Sequence, residues 1–435
     1  MKYYCIGIKG TGMSTLAQIL SDLGNEVSGY DDARGHKFTQ DGLEKRGIPI
    51  YYDHDHEIDK DTIVTYSVAF NFDHPEMKRV KDLGLKIVKY NEVMGHVIDL
   101  FKTIGVSGTH GKTSTSSMIR HILEDSIGCN YFIGAGDGYA SKDNEYFVVE
   151  SDEFNRHFTA YRCYNSIITN IEAEHMEIYK DVDDIRDTFE IFANQTKNLV
   201  IANGDNEEVR KINYKVPVKF YGFNDNNDVV IKNVELLSDC SKFDLYENNE
   251  LIGSFSIPLF GKHMIMNATA AIMMCLNIGV ELESIKKSLT TFKNAKRRFA
   301  IEEVNGCIIV DDYAHHPTEI KVTLEGVRQK YPNKRLALVF IPNTYSRTRD
   351  FKDEFIEAFN VADKTYLGEI DCNREDPKDY PGISSKIMLD KVDNGEMISI
   401  DTLDKLLSEK DSVICFMGCA ASLEHVINKF KELLK

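Results

Sequence analysis

No stretch of the 435 residues stays apolar long enough to cross a bilayer. The longest such run, around Ile265 to Val280, is broken by Asn267, Thr269 and Asn277, so it reads as a buried helix rather than a span of about 20 apolar residues. No secretory signal is expected either, because the residues after Lys2 meet glycines and Lys9 at once. The nine cysteines include no CxxC pair, and their odd count and wide scatter argue for reduced thiols in a cytoplasm rather than a disulfide scaffold. Cys415 and Cys419 have helical spacing, but no nearby His or Cys completes a metal set. Positive charge is also in deficit: 52 basic against 69 acidic side chains leave a net charge of −17. That surface repels nucleic acid and anionic membranes. It still permits an anionic substrate, since screening over about 8 Å leaves a pocket to its own local charges. No 20–50-residue repeat and no low-complexity segment is present.

What remains is the composition of a soluble globular protein, 42% hydrophobic and 28% charged. Its length calls for two or three domains. Three glycine-punctuated segments alternate strand and helix, the pattern of α/β folds with parallel sheets. The first opens on the apolar Tyr3–Ile8, passes through Lys9-Gly10-Thr11-Gly12-Met13 into a helix, and returns as a strand ending in Asp31 and Asp32. A glycine-rich first turn with an acid at the end of strand two marks a nucleotide-binding βαβ unit. Strands at Thr62–Tyr66 and Lys86–Val88 close this domain near residue 101. The second segment runs over 102–296 with strands at Tyr146–Val149, Ser166–Thr169 and Leu199–Ala202, and includes a β-rich insertion from about Val216 to Pro258. The third, 297–435, shows strands at Cys307–Val310, Leu336–Phe340, Lys364–Leu367 and Ser412–Phe416.

The most informative motif is Ser107-Gly108-Thr109-His110-Gly111-Lys112-Thr113-Ser114, directly after the apolar Thr103–Val106. A strand, a tight glycine loop and a helix start present unpaired N–H groups and the positive end of a helix dipole to a phosphate. Lys112 then reaches the β/γ-phosphates, and the Thr113 hydroxyl suits Mg²⁺. Val106 holds the outer glycine position of the general pattern. A glycine turn capping an ordinary helix is the plainer alternative, disfavoured by the strand–loop–helix context.

Downstream strands end in carboxylates. Tyr146–Val149 delivers Glu150, with Asp152 and Glu153 behind it; a carboxylate at a strand end opposite Thr113 suits a Mg²⁺ ligand. Ser166–Ile171 delivers Glu172, Glu174 and His175, the last a candidate for a second divalent ion or the transferring phosphoryl group. The basic Lys296-Arg297-Arg298 suits phosphate, one guanidinium stabilising charge on transfer, although a solvated basic turn is the plainer reading. Asp311, Asp312, His315 and His316 follow another strand and look like part of a cleft. Adjacent histidines in extended chain point opposite ways, which disfavours a joint metal site. Arg347, past the strand that ends at Phe340, calls for a carboxylate partner from substrate or protein.

These motifs in this order resemble the Mur ligases, the ATP-dependent amino-acid-adding enzymes of peptidoglycan synthesis. The resemblance rests on GIKGTGMS at 7–14, SGTHGKTST at 107–115, ESDEFNRHF at 150–158, TNIEAEH at 169–175, GKHMIMNATAA at 261–271, KRRF at 296–299, DDYAHHPTEI at 311–320 and the SRT of 346–348, and spans essentially the whole chain. It implies three domains: a Rossmann-like UDP-sugar-binding unit at 1–101, a central P-loop-type ATPase at 102–296, and a Rossmann-like amino-acid-delivering domain at 297–435. It implies that UDP-N-acetylmuramate, ATP and L-alanine are the partners, with Mg²⁺ or Mn²⁺, in a cytoplasmic monomer or weak dimer. Amide formation would pass through an acyl phosphate.

By the resemblance, Gly7, Lys9, Gly10, Thr11, Gly12, Met13, Asp31 and Ser67 hold the UDP-sugar. Gly108, Thr109, His110, Gly111, Lys112, Thr113, Ser114, His263, Asn267, Arg298 and Asp312 hold ATP. Thr113, Glu150 and His175 are the metal residues; Lys112, Glu150, His175 and Arg298 are catalytic; and Asn343 and Arg347 meet the amino acid. The chain departs from the family at Lys9, where many members have glycine, at Met264 for asparagine and at Glu174 for aspartate. Asn343 replaces a histidine, and Gly418-Cys419-Ala420-Ala421 replaces a GAGD turn. The last two fall in the amino-acid-delivering domain and leave open a paralogue adding glycine, serine or another small amino acid, or a murein-peptide ligase. The first βαβ unit alone also admits an NAD- or nucleotide-sensing protein, a reading that leaves the second phosphate loop and Arg298 without purpose.

Overall fold

The computed structural model describes residues 1–134, 136–372 and 375–435. They divide into two compact units. One comprises Met1–Asn233, Asp244–Phe255 and Met266–Phe292, the other Val234–Phe243, Ser256–Ile265 and Lys293–Lys435. Among the described residues no helix is long and apolar enough to cross a membrane, and all nine cysteines are free thiols.

The architecture is α/β throughout. The first sheet contains β1 (Lys2–Ile6), β2 (Glu26–Tyr30), β3 (Ile50–Tyr51), β4 (Ile63–Tyr66) and β5 (Lys86–Lys89), all parallel in the order β3-β2-β1-β4-β5. Strand order reverses between β1 and β4, the crevice where such sheets take ligands. The helix Thr11–Asp22 covers one face, burying Met13, Leu16, Ala17 and Leu20 at the i, i+3, i+4 spacing of an amphipathic helix.

The second sheet has ten strands: β6 (Lys102–Ser107), β7 (Asn130–Ile133), β8 (Asp137–Tyr139), β9 (Tyr146–Glu150), β10 (Asn165–Ile168), β11 (Leu199–Asn203), β12 (Val218–Gly222), β13 (Val229–Leu236), β14 (Ser241–Glu247) and β15 (Glu250–Ile257). Their order is β15-β14-β13-β12-β11-β10-β6-β9-β7-β8. The strand that launches the phosphate loop, β6, lies between β9 and β10 and is parallel to both. Its run is buried from Thr103 to Ser107, as expected of a strand covered on both faces. The helix Val182–Asn194 is started by Asp181, whose carboxylate accepts from the Asp184 N–H. It buries Ile185, Phe189 and Phe192, and Phe158 stacks on Phe192 and meets Phe189 edge-on. Each such ring contributes about 1.5–3 kcal/mol by burial.

The third sheet, wholly in the second unit, contains β16 (Ala300–Val304), β17 (Cys307–Asp312), β18 (Leu336–Phe340), β19 (Lys364–Leu367), β20 (Gly395–Met397) and β21 (Val413–Met417) in the order β16-β17-β21-β18-β19-β20. The edge strand β16 runs antiparallel to β17, and the pairings from β17 across to β20 are parallel. Every residue of β18 and β21 is buried, so the carboxyl ends of β17, β18 and β21 emerge side by side from a dry core.

Candidate active site

The phosphate loop is shaped by two glycines. Gly108 has φ +143°, and a Cβ there would lie 1.9 Å from the Thr169 hydroxyl. Gly111, φ +84°, is the left-handed residue before the helix Lys112–Glu124, and Asn267 packs on it, with Oδ1 2.6 Å from where a Cβ would stand. The loop is fixed from the end of β10. Thr109 N–H donates to the Asn170 carbonyl (3.0 Å), His110 N–H to Asn170 Oδ1 (2.8 Å), and the Thr169 hydroxyl to the His110 carbonyl (2.5 Å). Ser114 lies partly buried in the first turn of the helix.

Lys112 and Thr113 each face a carboxylate from the end of β9 or just beyond it. The Thr113 hydroxyl donates to Glu150 at 3.0 and 3.1 Å, and Glu150 also accepts the Gly134 N–H at 2.9 Å. The Lys112 ammonium folds back over its own loop, donating to the Gly108 and Thr109 carbonyls (2.6 and 3.1 Å) and to both oxygens of Glu153 (2.9 and 2.8 Å). Lys112 and Glu153 are 13% and 3% exposed. Burial pushes the lysine down, but Glu153, Asp152 and Glu150 outweigh it and hold it above its ordinary value. In Glu153 burial prevails and raises the carboxyl, with Lys112 offsetting part of the rise. Glu153 thus belongs to the loop's electrostatics more directly than the sequence suggests. Its backbone is held by the Tyr179 hydroxyl at 2.5 Å, and the chain turns away through left-handed Asn155 and Arg156. Arg156 is pinned there by Asp184 and Thr188.

His175 stands on the other side of Glu153, its Nε2 3.9 Å from Glu153 and its Nδ1 3.4 Å from Glu177. Its φ of +54° is strained for a non-glycine residue, as is common where geometry serves a site. Burial lowers its pKa, but the Glu177 bond and the charges of Glu174 and Glu153 carry it above the ordinary imidazole value. The clustered Thr113 and Glu150 oxygens fit a hard divalent cation, whereas the His175 nitrogens face Glu153 and Glu177.

In the first sheet the glycine loop after β1 is tightly walled. At Gly7, φ +78°, a Cβ would stand within 2.9 Å of both Phe70 and Ser67, and at Gly12 it would meet the Tyr90 hydroxyl at 2.9 Å. The Gly10 N–H donates to the Gly7 carbonyl, Gly10 precedes the helix begun by Thr11, and Ser67 N–H donates to the Ile6 carbonyl. Three residues stand differently from expectation. Met13 is 3% exposed because its helical position faces the core. Asp31 is buried, its carboxylate taken by the Lys9 and Ala33 N–H groups. Lys9 turns its ammonium away from the loop, into the segment after β2.

In the second unit Arg297 and Phe299 are both left-handed and flank Arg298. Arg297 donates to Asp311 (3.3 Å) and the Gly418 carbonyl (2.7 Å), while Arg298 lies over the Tyr313 ring at 5.1 Å. Asp312 accepts the Phe299 and Ala314 N–H groups at 2.6 and 2.8 Å. Burial pushes its carboxyl up to about 6, against the pull of Arg298. His316 caps the helix Pro317–Lys330 in a box with Glu319. His263 is packed against Gly261, and burial lowers it to about 4. Arg347 donates to Asn343 Oδ1 at 2.8 Å, one turn apart. The helix carrying it, Tyr345–Asp350, is held by Glu375, which accepts the Tyr345 and Ser346 N–H groups (2.6 and 3.1 Å); nothing local in the sequence signals that acid.

Three family models match the chain in succession: the Mur ligase family catalytic domain over residues 2–102, the Mur ligase middle domain over 106–275 and the Mur ligase glutamate ligase domain over 297–420. A UDP-N-acetylmuramate–L-alanine ligase of Ligilactobacillus salivarius is 40% identical over 435 residues, covering 99% of this chain and 97% of its own. A ligase of the same name from Levilactobacillus brevis is 40% identical over 433 residues, with the same coverage. The crystal structure of the UDP-N-acetylmuramate–alanine ligase MurC of Thermotoga maritima superposes with a TM-score of 0.81 at 24% identity, covering 100% of this chain and 99% of its own.

Proposed function

The chain belongs to the Mur ligase family, and on that premise we propose that it joins L-alanine to the carboxylate of UDP-N-acetylmuramate with cleavage of ATP. A carboxylate is a poor acyl donor, so the sugar acid first attacks the γ-phosphate, giving an acyl phosphate and ADP. The alanine amino group then adds to the carbonyl, and inorganic phosphate leaves from the tetrahedral intermediate. Such chemistry asks the protein for orientation and charge neutralisation more than for covalent participation.

The observation that carries the reading is the pair of contacts Lys112–Glu153 and Thr113–Glu150 at the mouth of a glycine loop. They support a phosphate site by setting a cation and a hydroxyl at the start of the helix, each backed by a buried or half-buried acid. Lys112 exchanges its hold on Glu153 for the β/γ-phosphates, and the N–H groups of Gly108 to Thr113 receive the phosphate oxygens. Thr113, Glu150 and His175 would hold a divalent ion, Mg²⁺ or Mn²⁺, which when bound neutralises phosphate charge. Gly7, Gly10, Thr11, Gly12 and Ser67 line the sugar-nucleotide crevice of the first sheet, Asn267 braces Gly111, and Arg298 and Asp312 serve the nucleotide. Arg347, aligned by Asn343, meets the amino acid's carboxylate. The free thiols fit a reducing cytoplasm.

Phosphate release is to be measured with UDP-N-acetylmuramate or a tripeptide as acid partner and alanine, glycine or serine as amine. Release that needs UDP-N-acetylmuramate and is fastest with alanine is expected. Preference for glycine or serine would reassign the amino acid, a result that Asn343 and the 418–421 turn make worth testing. No amino-acid-dependent release with any pair would overturn the ligase reading.

A further inference from the structure

Lysine is almost never fully buried without a charged partner. Lys9 is 1% exposed, and among the described residues no carboxylate lies within 4.0 Å of its ammonium. Its three N–H bonds go to the carbonyl oxygens of Ala33 (2.6 Å) and Gly35 (2.7 Å) and to the Tyr52 hydroxyl (3.3 Å), with the Tyr52 ring centroid 5.1 Å away. The rest of the residue is tied to the same stretch. Its backbone N–H donates to Asp31 Oδ2 (2.9 Å), and its carbonyl accepts the Thr39 hydroxyl (2.7 Å), while Ser14 donates to the Thr39 carbonyl (2.8 Å). One side chain from the turn after β1 therefore fastens the segment after β2 and the residue following β3, around the crevice at the reversal of strand order. A glycine in this place would make none of the side-chain contacts.

Two physical consequences follow. Arg34 to Phe38 in the segment 31–39 are exposed, and the Lys9 ammonium supplies two of the contacts that hold the segment, its backbone two more at Asp31 and Thr39. The ammonium is also a buried positive charge carried by the residue before Gly10, which leads into the helix Thr11–Asp22, although its tip bonds into the segment after β2. Carbonyl dipoles satisfy its hydrogen bonds without cancelling its charge, and in a buried setting that field reaches a neighbouring anion with little screening.

We propose that Lys9 is a positioning residue for the nucleoside diphosphate part of the substrate. It does not touch the ligand; it holds segment 31–39 as one wall of the crevice and biases the glycine loop toward a diphosphate. The inference rests on the reading of this crevice as the sugar-nucleotide site.

Calorimetric binding of UDP and of uridine to wild type, Lys9→Met and Tyr52→Leu tests it, alongside kcat and KM for each substrate. Lys9→Met is expected to weaken UDP about thirtyfold and uridine no more than about threefold. It is expected to raise the sugar-nucleotide KM similarly, and to leave kcat at saturation and the ATP KM within about twofold. Lys9→Arg, which keeps the charge, should recover part of the UDP affinity. Tyr52→Leu keeps the ammonium but loosens its seat, so UDP should weaken by less, about threefold; this variant keeps the test readable if Lys9→Met does not fold. Unchanged UDP affinity in Lys9→Met, or an equal loss for UDP and uridine, would overturn the proposal while leaving the crevice assignment standing. Wild type binding neither UDP nor UDP-N-acetylmuramate would overturn that assignment and the proposal with it.

Discussion

Replacing Lys112 by alanine removes more than a phosphate-binding cation, because it strands a carboxylate. Glu153 is 3% exposed, and Lys112 bonds both of its oxygens. Breaking a buried pair from one side costs about 3–5 kcal/mol. The variant has an escape: Glu153 can take up a proton. With an ordinary value of 4.5 in the unfolded chain, protonation at pH 7 costs about 3.4 kcal/mol, at 1.36 kcal/mol per unit. That figure caps the electrostatic loss at neutral pH, so Lys112→Ala should be destabilised there by about 3 kcal/mol. The sign then fixes the pH dependence. A carboxyl raised in the folded state binds more protons folded than unfolded, so its penalty grows as pH rises above 4.5 and vanishes below it. The deficit should therefore shrink by about 1.4 kcal/mol per pH unit as pH is lowered from 7 toward 5. Urea denaturation of wild type, Lys112→Ala and Lys112→Ala/Glu153→Gln between pH 5 and 8 reads this directly. The double variant should regain most of the lost stability at pH 7, while both variants lose about 10²–10³ or more in turnover, as when one preorganised donor is removed. A deficit independent of pH, or no rescue by Glu153→Gln, would refute the reasoning.

Three further outcomes are expected. Asp312, held near 6 by burial, should make wild type lose about 3 kcal/mol relative to Asp312→Asn as pH rises from 4 through 6, since a raised acid favours the protonated folded state; thermal melts across that range check it. Arg347→Ala should raise the amino-acid KM by about tenfold or more with the ATP KM within about twofold, as loss of a charge-assisted bond predicts, and equal effects on both would count against its role. Gly108→Ala, which forces a Cβ into Thr169 at an unsuitable φ, should destabilise by more than about 3 kcal/mol and abolish turnover, whereas Gly35→Ala, with nothing within 4 Å, should be within about 0.5 kcal/mol of wild type by denaturation.

The parts of the site that can be read from the chain are those in which neighbours in sequence are neighbours in chemistry. Gly108, Gly111, Lys112 and Thr113 lie within one loop, and Glu150 ends an unmistakably buried strand, so residue type and spacing suffice. The i, i+4 relation of Asn343 and Arg347 is similarly local. Orientation is where the sequence is mute. Nothing in the letters says that Lys9 points into segment 31–39, since one φ/ψ pair decides between the crevice and its wall. Met13 sits inside the glycine motif but obeys the helix period and joins the core. Glu153 meets Lys112 where Tyr179 holds its carbonyl from 26 positions away, and the chain then leaves through left-handed Asn155 and Arg156. Glu375 reaches the Arg347 helix from about as far, 29 positions beyond Ser346. In the sheets, the apolar runs predict the strands well, but the placement of β6 between β9 and β10 comes from crossover packing rather than from any single run.

That placement has a consequence for how the protein is made. The phosphate loop emerges from the ribosome long before its supports: Glu150 and Glu153, then Thr169 and Asn170, then Asn267 must all be synthesised before the loop has its walls. At about 5–20 residues per second, the interval between Lys112 and Asn267 is roughly ten to thirty seconds. Throughout it, a nascent chain holds a lysine-bearing turn that has no fixed shape, and long-range strand pairing of this kind is intrinsically slow to form. Nucleotide capture should thus be a late event in biogenesis, and an arrested chain ending before Asn267 should not retain ATP however completely its first sheet has folded.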